Sequence, residues 1–408
     1  MNQMKNKAKL FYSFTIQCLS AISVGNGENI QSDHDIVRYS NNTPYVPAST
    51  IAGCLFSKQP NSKKLYSIGT KDSYSPLFVS DGIFNDNFAI SYRDGNKLDY
   101  NTKSSLNTAV FNYEIIEKNT SFTFFVEYTL TEESPISIEN VRNDILEICS
   151  KINNGLYRIG FKQNRGLGKL EVISLKEKVF DFKNFNLNEY LQFSNDSNVT
   201  LDNCKMKDIT SSISKIKLVM ETVTAMLKPI SLINIKTKSR LKENTDTKAL
   251  TLINNDKVAV IPGSSINGAL RAYAYKLAKK DRNLNLFRNS NNEDINTRYI
   301  IDDLYIEGHL ITKQRTRINR FTGGADEGAL FDEQVFMPNS LIDKNAKRIR
   351  FNISFYSDID NEAKNYLIKS VKALCNGLIA VGAETSIGYG LFEGEIIDGG
   401  NSNVDIDL

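Results

Sequence analysis

The sequence predicts an α+β protein of two tandem domains, each an antiparallel sheet with helices on one face. Three observations carry this. One segment occurs twice, as YVPASTIAGCLF from Tyr45 to Phe56 and as VIPGSSINGALR from Val260 to Arg271. Several further blocks follow each copy in the same order, the mark of a repeat architecture. The strand-like blocks of both halves alternate with period two. At 408 residues the chain is long for one domain and suits two of about 200.

Each half opens on an alternating strand, KLFYSFTIQCLSAISV from Lys9 and KIKLVMETVTAMLKPISL from Lys215. The repeated segment follows as a strand-to-helix junction. Next come LFVSDGIF (Leu77 to Phe84) against YIIDDLYI (Tyr299 to Ile306), each strand-like with an aspartate. AVFNYEII and ALFDEQVF then precede SFTFFVEYTL from Ser121 and RIRFNISFYS from Arg348. Phe with Val or Ile at every second place marks strands with one buried face. Amphipathic helices ending at Asn-Gly follow, VRNDILEICSKINNG to Gly155 and EAKNYLIKSVKALCNG to Gly377. Each half closes on a loop of spacing G-x5-G-x-G, with Gly160, Gly166 and Gly168 in the first and Gly382, Gly388 and Gly390 in the second. The order strand, helix, strands, helix, strand matches the ferredoxin-like split βαβ arrangement. The expected domains are 1–205 and 215–408, joined by a linker at 206–214 within the polar stretch NDSNVTLDNCKMKDITSSIS.

A hydrophobic share of 41% with 24% charged residues is ordinary for a soluble globular protein. No apolar run is long enough for a transmembrane helix, and MNQMKNKAKLFYSF lacks the apolar core of a signal peptide. The five cysteines are scattered, with no CxxC or Cys/His cluster, which argues against a disulfide framework or zinc site and suits a reducing cytoplasm. A net charge of +3 is too small to imply nucleic acid by itself. With two histidines, His34 and His309, general-base chemistry on His has few candidates.

In the second junction Pro262 biases Ile261 toward extended backbone, and Ser264 or Ser265 can cap the following helix. Gly268 sits early in that helix at a cost of about 1 kcal/mol relative to Ala, which close packing or a ligand must offset. Free N–H groups at a helix start suit a phosphate. Ser49, Thr50 and Gly53 take the same places in the first copy. A tight junction with a packing glycine is the competing reading. The glycine loop lacks the Lys-Ser/Thr of a P-loop and leads from helix to strand, the reverse of the dinucleotide context. Its first copy carries Lys162, Arg165 and Lys169, as a phosphate grip would; its second carries Glu384 and no base. In KQRTRINRFTGGADEGALFDE, Lys313, Arg315, Arg317 and Arg320 precede Phe321, Thr322 and two glycines. That suits a hairpin that grips and wedges nucleic acid, with a solvated charged loop as the alternative.

The set IPGSSINGALR, RINRFTGGADEGALFDE and GAETSIGYG resembles the RAMP superfamily (repeat-associated mysterious proteins), in particular backbone subunits of type III CRISPR effector complexes. A tandem fusion resembles the double-backbone proteins of type III-D-like systems. The resemblance covers nearly the whole chain, once per half. It implies RNA-recognition-motif-like, ferredoxin-type cores with β-hairpin thumb insertions that kink a guide–target duplex. It implies partners: a CRISPR guide RNA, complementary target RNA and other effector subunits, with no membrane. The implied RNA-binding residues are Ser49, Thr50, Gly53, Lys162, Arg165, Gly166, Gly168, Lys169, Ser264, Ser265, Gly268, Arg271, Arg315, Arg317, Arg320, Phe321, Gly388 and Gly390.

In some members an aspartate about fifteen residues before the motif proline supports metal-dependent cleavage of target RNA. Asp33 stands fourteen residues before Pro47 and Asp246 sixteen before Pro262. Asp33 is the favoured catalytic and metal residue, Asp246 the second, and the implied ion is Mg²⁺ or another divalent cation. A non-catalytic structural subunit, a metal-independent guide-processing endonuclease using His34, and a protein-interaction scaffold are the alternatives. Asn319 replaces the aspartate of the family's Ile-Asp-Arg, and the first half has KLDYNTKSSLNTAVF in place of the basic hairpin. The first half keeps a glycine-rich VGNGEN where the second has SLINIKTKSR. The halves are therefore expected to differ in function.

Overall fold

The computed structural model describes residues 6–25, 27, 32–56, 75–85, 87–98, 105–132, 134, 136–183, 187–195, 206–213, 220–237, 247–252, 255–278, 298–343 and 345–398. The second catalytic candidate, Asp246, and Cys204 lie outside them.

The first half runs β1 (Asn6–Cys18), α1 (Ala48–Ile51) continued by a π-helical turn over Ala52–Phe56, β2 (Leu77–Val79), β3 (Gly82–Phe84), β4 (Ile90–Leu98), β5 (Ser105–Ile116), β6 (Ser121–Thr131), α2 (Ile138–Asn153) and β7 (Leu170–Asp181). β1 is central because every second side chain from Ala8 to Cys18 is apolar and buried. It pairs antiparallel with β6 and β7, and β6 pairs in turn with β2 and β3. Counting β2 and β3 as one interrupted strand, and leaving out the β4–β5 hairpin, the sheet order is fourth, first, third, second. That is the ferredoxin-like order. α2 starts on a capping box between Ser137 and Asn140, and buries Val141, Ile145, Ile148 and Ile152.

Residues 206–213, read from composition as linker, pack on this half. β8 (Lys207–Asp208) adds to the sheet beside β7, and Ile209 enters the first core.

The second half repeats the plan. It runs β9 (Glu221–Pro229), β10 (Thr247–Ala249), β11 (Asn255–Ile261), α3 (Gly263–Leu277), β12 (Tyr299–Ile301), β13 (Leu304–Ile318), β14 (Ala325–Pro338), β15 (Ile349–Phe355), α4 (Asn361–Cys375) and β16 (Phe392–Asp398). The sheet order is β12-β15-β9-β16, again second, third, first, fourth. α4 is capped by Asp360, whose side chain accepts from the Ala363 amide. Each half has its own apolar core. The hairpin β13–β14 pairs from Gly308 opposite Pro338 out to Ile318 opposite Ala325, and most of its outer half is exposed. A hairpin of β4 and β5 stands at the corresponding place in the first half.

The halves meet through ion pairs between the first half and the loop after β12. Arg93 on β4 contacts Asp303 at 2.7 Å, with 2% and 0% of the two side chains exposed. Arg158 and Lys169 both reach Asp302, at 2.6 and 2.7 Å. Lys118 lies 3.4 Å from the Tyr305 ring centroid. Among the described residues no helix is long and apolar enough to cross a membrane. The cysteines among them are free thiols buried in the two cores.

Removing one partner of a buried ion pair strands the other charge in a medium that solvates it poorly. Arg93→Ala is therefore expected to destabilise the chain by about 3–5 kcal/mol in a denaturation experiment. Arg317→Ala, at a side chain 81% exposed, is expected to change stability by less than about 0.5 kcal/mol.

Candidate nucleic-acid interface

The two junctions fold alike. Pro47 and Pro262 have φ −57° and −59° with ψ 138° in both. The first helical amide is taken by an aspartate from the block that follows. Ala48 N donates to Asp81 Oδ1 at 2.7 Å, and Gly263 N to Asp303 Oδ1 at 2.8 Å. This corrects two expectations. Ser264 and Ser265 lie inside α3 and do not cap it. The leading N–H of each helix is also not open to a phosphate, since a carboxylate accepts it.

The motif glycines Gly53 and Gly268 are both exposed, and a Cβ on either would meet nothing within 4 Å. Internal packing therefore does not offset their cost of about 1 kcal/mol. The reading that remains is close approach by something outside the chain. On α3, Ser264, Gly268 and Arg271 share one face at i, i+4 and i+7. The first copy is weaker: Ser49 is exposed and Thr50 partly so, but Phe56 stands at the place of Arg271 and is fully buried.

The glycine loops are superimposable in their bonds. Phe161 N donates to Ser23 O and Ala383 N to Asn234 O, each at 2.7 Å. Gly168 N donates to Ala21 O and Gly390 N to Leu232 O. At Gly168 and Gly390 a Cβ would lie 2.2 and 2.0 Å from the carbonyl oxygens of Ile159 and Val381, so close backbone approach within the fold requires these glycines. Gly166 and Gly388 diverge. A Cβ on Gly166 would sit 1.9 Å from Asp303 Oδ1, whereas Gly388 faces open space.

The first loop is thus built into the seam between the halves. Lys169 is paired with Asp302, Gly166 abuts Asp303, and the backbone of Arg165 lies against Gly263 while its side chain is exposed. Lys162 takes the left-handed region at φ 52° and sits over aromatic rings, 3.7 Å from the Tyr113 centroid and 4.5 Å from that of Phe111. Burial, with the charges of Arg165 and Arg93 adding to it, lowers its pKa to about 7. Its counterpart Glu384 instead pairs with Lys236 and Arg315, both at 2.8 Å.

The hairpin places its basic residues unequally. Arg315 is tied to Glu384, Glu333 and the Tyr389 hydroxyl. Arg317 and Arg320 are exposed, and Phe321 at the tip is 99% exposed. Asn319 organises that tip: its Oδ1 accepts from the amides of Phe321 and Thr322, and its Nδ2 donates to Asp326. An aspartate there would meet Asp326 as a like charge, which accounts for Asn in the family's Ile-Asp-Arg pattern.

Asp33 is exposed and clamps its loop to β5 reciprocally. Its Oδ2 accepts from Asn112 N at 2.8 Å while Asn112 Oδ1 accepts from Asp33 N at 2.9 Å. Asp35 is buried and accepts from the amide and hydroxyl of Ser32. The His34 ring packs on Phe161 with centroids 4.6 Å apart. Among the described residues no group of three His, Cys, Asp or Glu side chains could hold a metal. A lone Asp33 fits Mg²⁺ only where RNA oxygens complete the shell. Sequence reasoning noted an aspartate in the LFVSDGIF and YIIDDLYI blocks but missed its part as cap and, for Asp303, as ion-pair acceptor.

Opposite stability effects are expected at two motif glycines. Gly268→Ala should stabilise by up to about 1 kcal/mol, since it relieves a helical glycine in open space. Gly166→Ala should destabilise by several kcal/mol, because it combines φ +102° with overlap on Asp303. Thermal melts of the two variants check this.

No curated protein matches the chain. A family profile described as the RAMP superfamily matches twice, at residues 15–171 and 235–393. Each match runs from an opening strand or the turn after it, through the junction and hairpin, to the start of the strand after the glycine loop. The chain belongs to the RAMP superfamily.

Proposed function

We propose that this protein is a guide-RNA-binding backbone subunit of a type III CRISPR ribonucleoprotein, of type III-D-like kind. In this reading it lines the guide–target duplex in the cytoplasm beside other effector subunits. The observation that carries the reading is Gly268: an exposed helical glycine in open space, sharing a face with Ser264 and Arg271. A ribose-phosphate backbone can lie against such a face, taking hydroxyl and guanidinium contacts that a Cβ would hold off. The hairpin supports it, since Arg317, Arg320 and Phe321 are held out in water by a tip that Asn319 organises. An aromatic ring in that position can stack on or wedge between bases.

Target cleavage is the finer part of the proposal. Asp33 would hold Mg²⁺ together with phosphate oxygens, and the ion would stabilise charge on the cleaved phosphate. The reciprocal Asp33–Asn112 bonds favour a second reading, in which Asp33 anchors its loop and the subunit is purely structural. In a reconstituted complex, loss of Mg²⁺-dependent target cuts on Asp33→Ala or Asp246→Ala, with assembly intact, supports catalysis. The structural reading holds if the wild-type chain makes no cut assignable to it.

RNA that co-purifies with the protein should sequence as repeat–spacer guides. Affinity should fall steeply with salt, and Gly268→Leu should weaken binding at least tenfold in a filter assay without loss of thermal stability. Unaltered affinity in Gly268→Leu sinks the assignment of that face. A phosphate near Lys162 would favour its charged form, so binding there takes up a proton. Affinity is then expected to fall as pH rises from about 7, the value burial gives that amine. Lys162→Arg should flatten this slope and His34→Gln should keep it.

A further inference from the structure

A cleft of about 390 Å³ opens at the root of the β13–β14 hairpin, a size that admits a small ligand. Its described lining is Lys248, Asp256, Lys257, His309, Leu310 and Gln334. The hairpin sheet gathers these from four strands. Lys248 on β10 stands opposite Gln334 on β14 in parallel register. His309 on β13 stands opposite Met337 on β14. Asp256 and Lys257 on β11 lead into Val258, which pairs with Glu307 on β13, two residues before His309. Lys248 is 7% exposed, and its Nζ donates to Asp256 Oδ1 at 3.0 Å. The Thr251 hydroxyl donates to the same oxygen at 2.9 Å. An ammonium carries three donors, so this pair leaves Lys248 able to donate to a ligand. Lys257 is exposed. Two ammonium groups against one carboxylate make the lining cationic before His309 is counted, and the Gln334 amide adds a neutral donor.

The first half has the opposite charge at the same place. The bridges Ile22–Ile116 and Ile233–Phe336, with the two hairpin registers, align the halves. Gln334 then corresponds to Glu114, and His309 to Ala89. Glu114 N donates to His34 O, which sets Asp35 beside Glu114 as Lys248 is set beside Gln334. Glu114 holds Arg38 through bonds of 2.8 and 2.9 Å, and Asp35 is buried. An anion would meet two carboxylates there. In the second half one of these is an amide, the other an ammonium, and a methyl has become an imidazole. All three differences favour an anion.

We propose that this cleft binds a phosphate group, held by the amines of Lys248 and Lys257 with His309 and Gln334 as further donors. An RNA backbone and a free nucleotide both carry that group, and the same donors serve either. The RNA source rests on the function proposed above. The nucleotide source does not. The first half, with Asp35 and Glu114 in place, has no equivalent site.

NMR of the full chain with ¹³C-labelled histidine tests it, because the chain has two histidines and His309→Gln assigns their signals. On titration with inorganic phosphate the His309 signal should shift and saturate. Gln334→Glu restores the carboxylate of the first half, and Lys257→Glu reverses an exposed charge. Each should weaken phosphate binding at least about tenfold, with a melting temperature equal to wild type. Adenosine monophosphate and an oligoribonucleotide without terminal phosphates are two further arms. Whichever saturates the signal at the lower concentration identifies the source. A His309 signal that none of the three probes moves to saturation overturns the proposal, as does unchanged affinity in Gln334→Glu. RNA binding that persists in a filter assay beside such a result leaves the function proposed above standing.

Discussion

The carboxylate of Asp303 is the contact on which the architecture turns. One oxygen accepts the leading amide of α3, fixing how the second junction leaves its strand. The other accepts Arg93 from the hairpin of the first half, in a pair with almost no exposed surface. Gly166 of the first loop is held where no side chain would fit against that carboxylate. Helix start, hairpin and glycine loop are thereby set relative to one another across the seam. A buried carboxylate with one unmet oxygen would be costly, so these partners are obligatory together.

The same constraint separates the roles of residues that look equivalent in sequence. Glycines that face the fold are structural: Gly168 and Gly390 admit close approach within each half, and Gly166 between halves. Gly53 and Gly268 face open space and have no packing reason to be glycine, whereas Gly388 faces open space but takes φ +92°, which itself favours glycine. Basic residues divide likewise. Arg93, Arg158 and Lys169 neutralise Asp302 and Asp303, whereas Arg317, paired with Asp326 within the hairpin, and Arg320 remain exposed. The junction face that carries an arginine is thus the second one, since Phe56 stands buried where Arg271 stands.

Much of the fold was legible because it is periodic. β1 and β6 alternate without a break, and Asn-Gly ended α2 and α4 where the sequence placed their ends. The repeat then carried most of the first half's reading over to the second. What stayed hidden depended on contacts between residues far apart in sequence. Asp303 and Arg93 are 210 positions apart, and nothing local marks either as a partner. Lys169 reads as a phosphate ligand until Asp302 is seen beside it. Serines after a proline look like caps, yet an aspartate some forty residues on does that work. The exposure of Gly268 was equally unreadable, since a packing glycine and a docking glycine have the same letter.

Crosslinking bound guide RNA to the full chain with ultraviolet light, then mapping the adducts by mass spectrometry, tests the central claim most directly. Adducts should fall on the α3 face from Ser264 to Arg271 and on the hairpin tip around Phe321. Adducts confined to other surfaces, with both of these unlabelled in RNA-loaded protein, would contradict it.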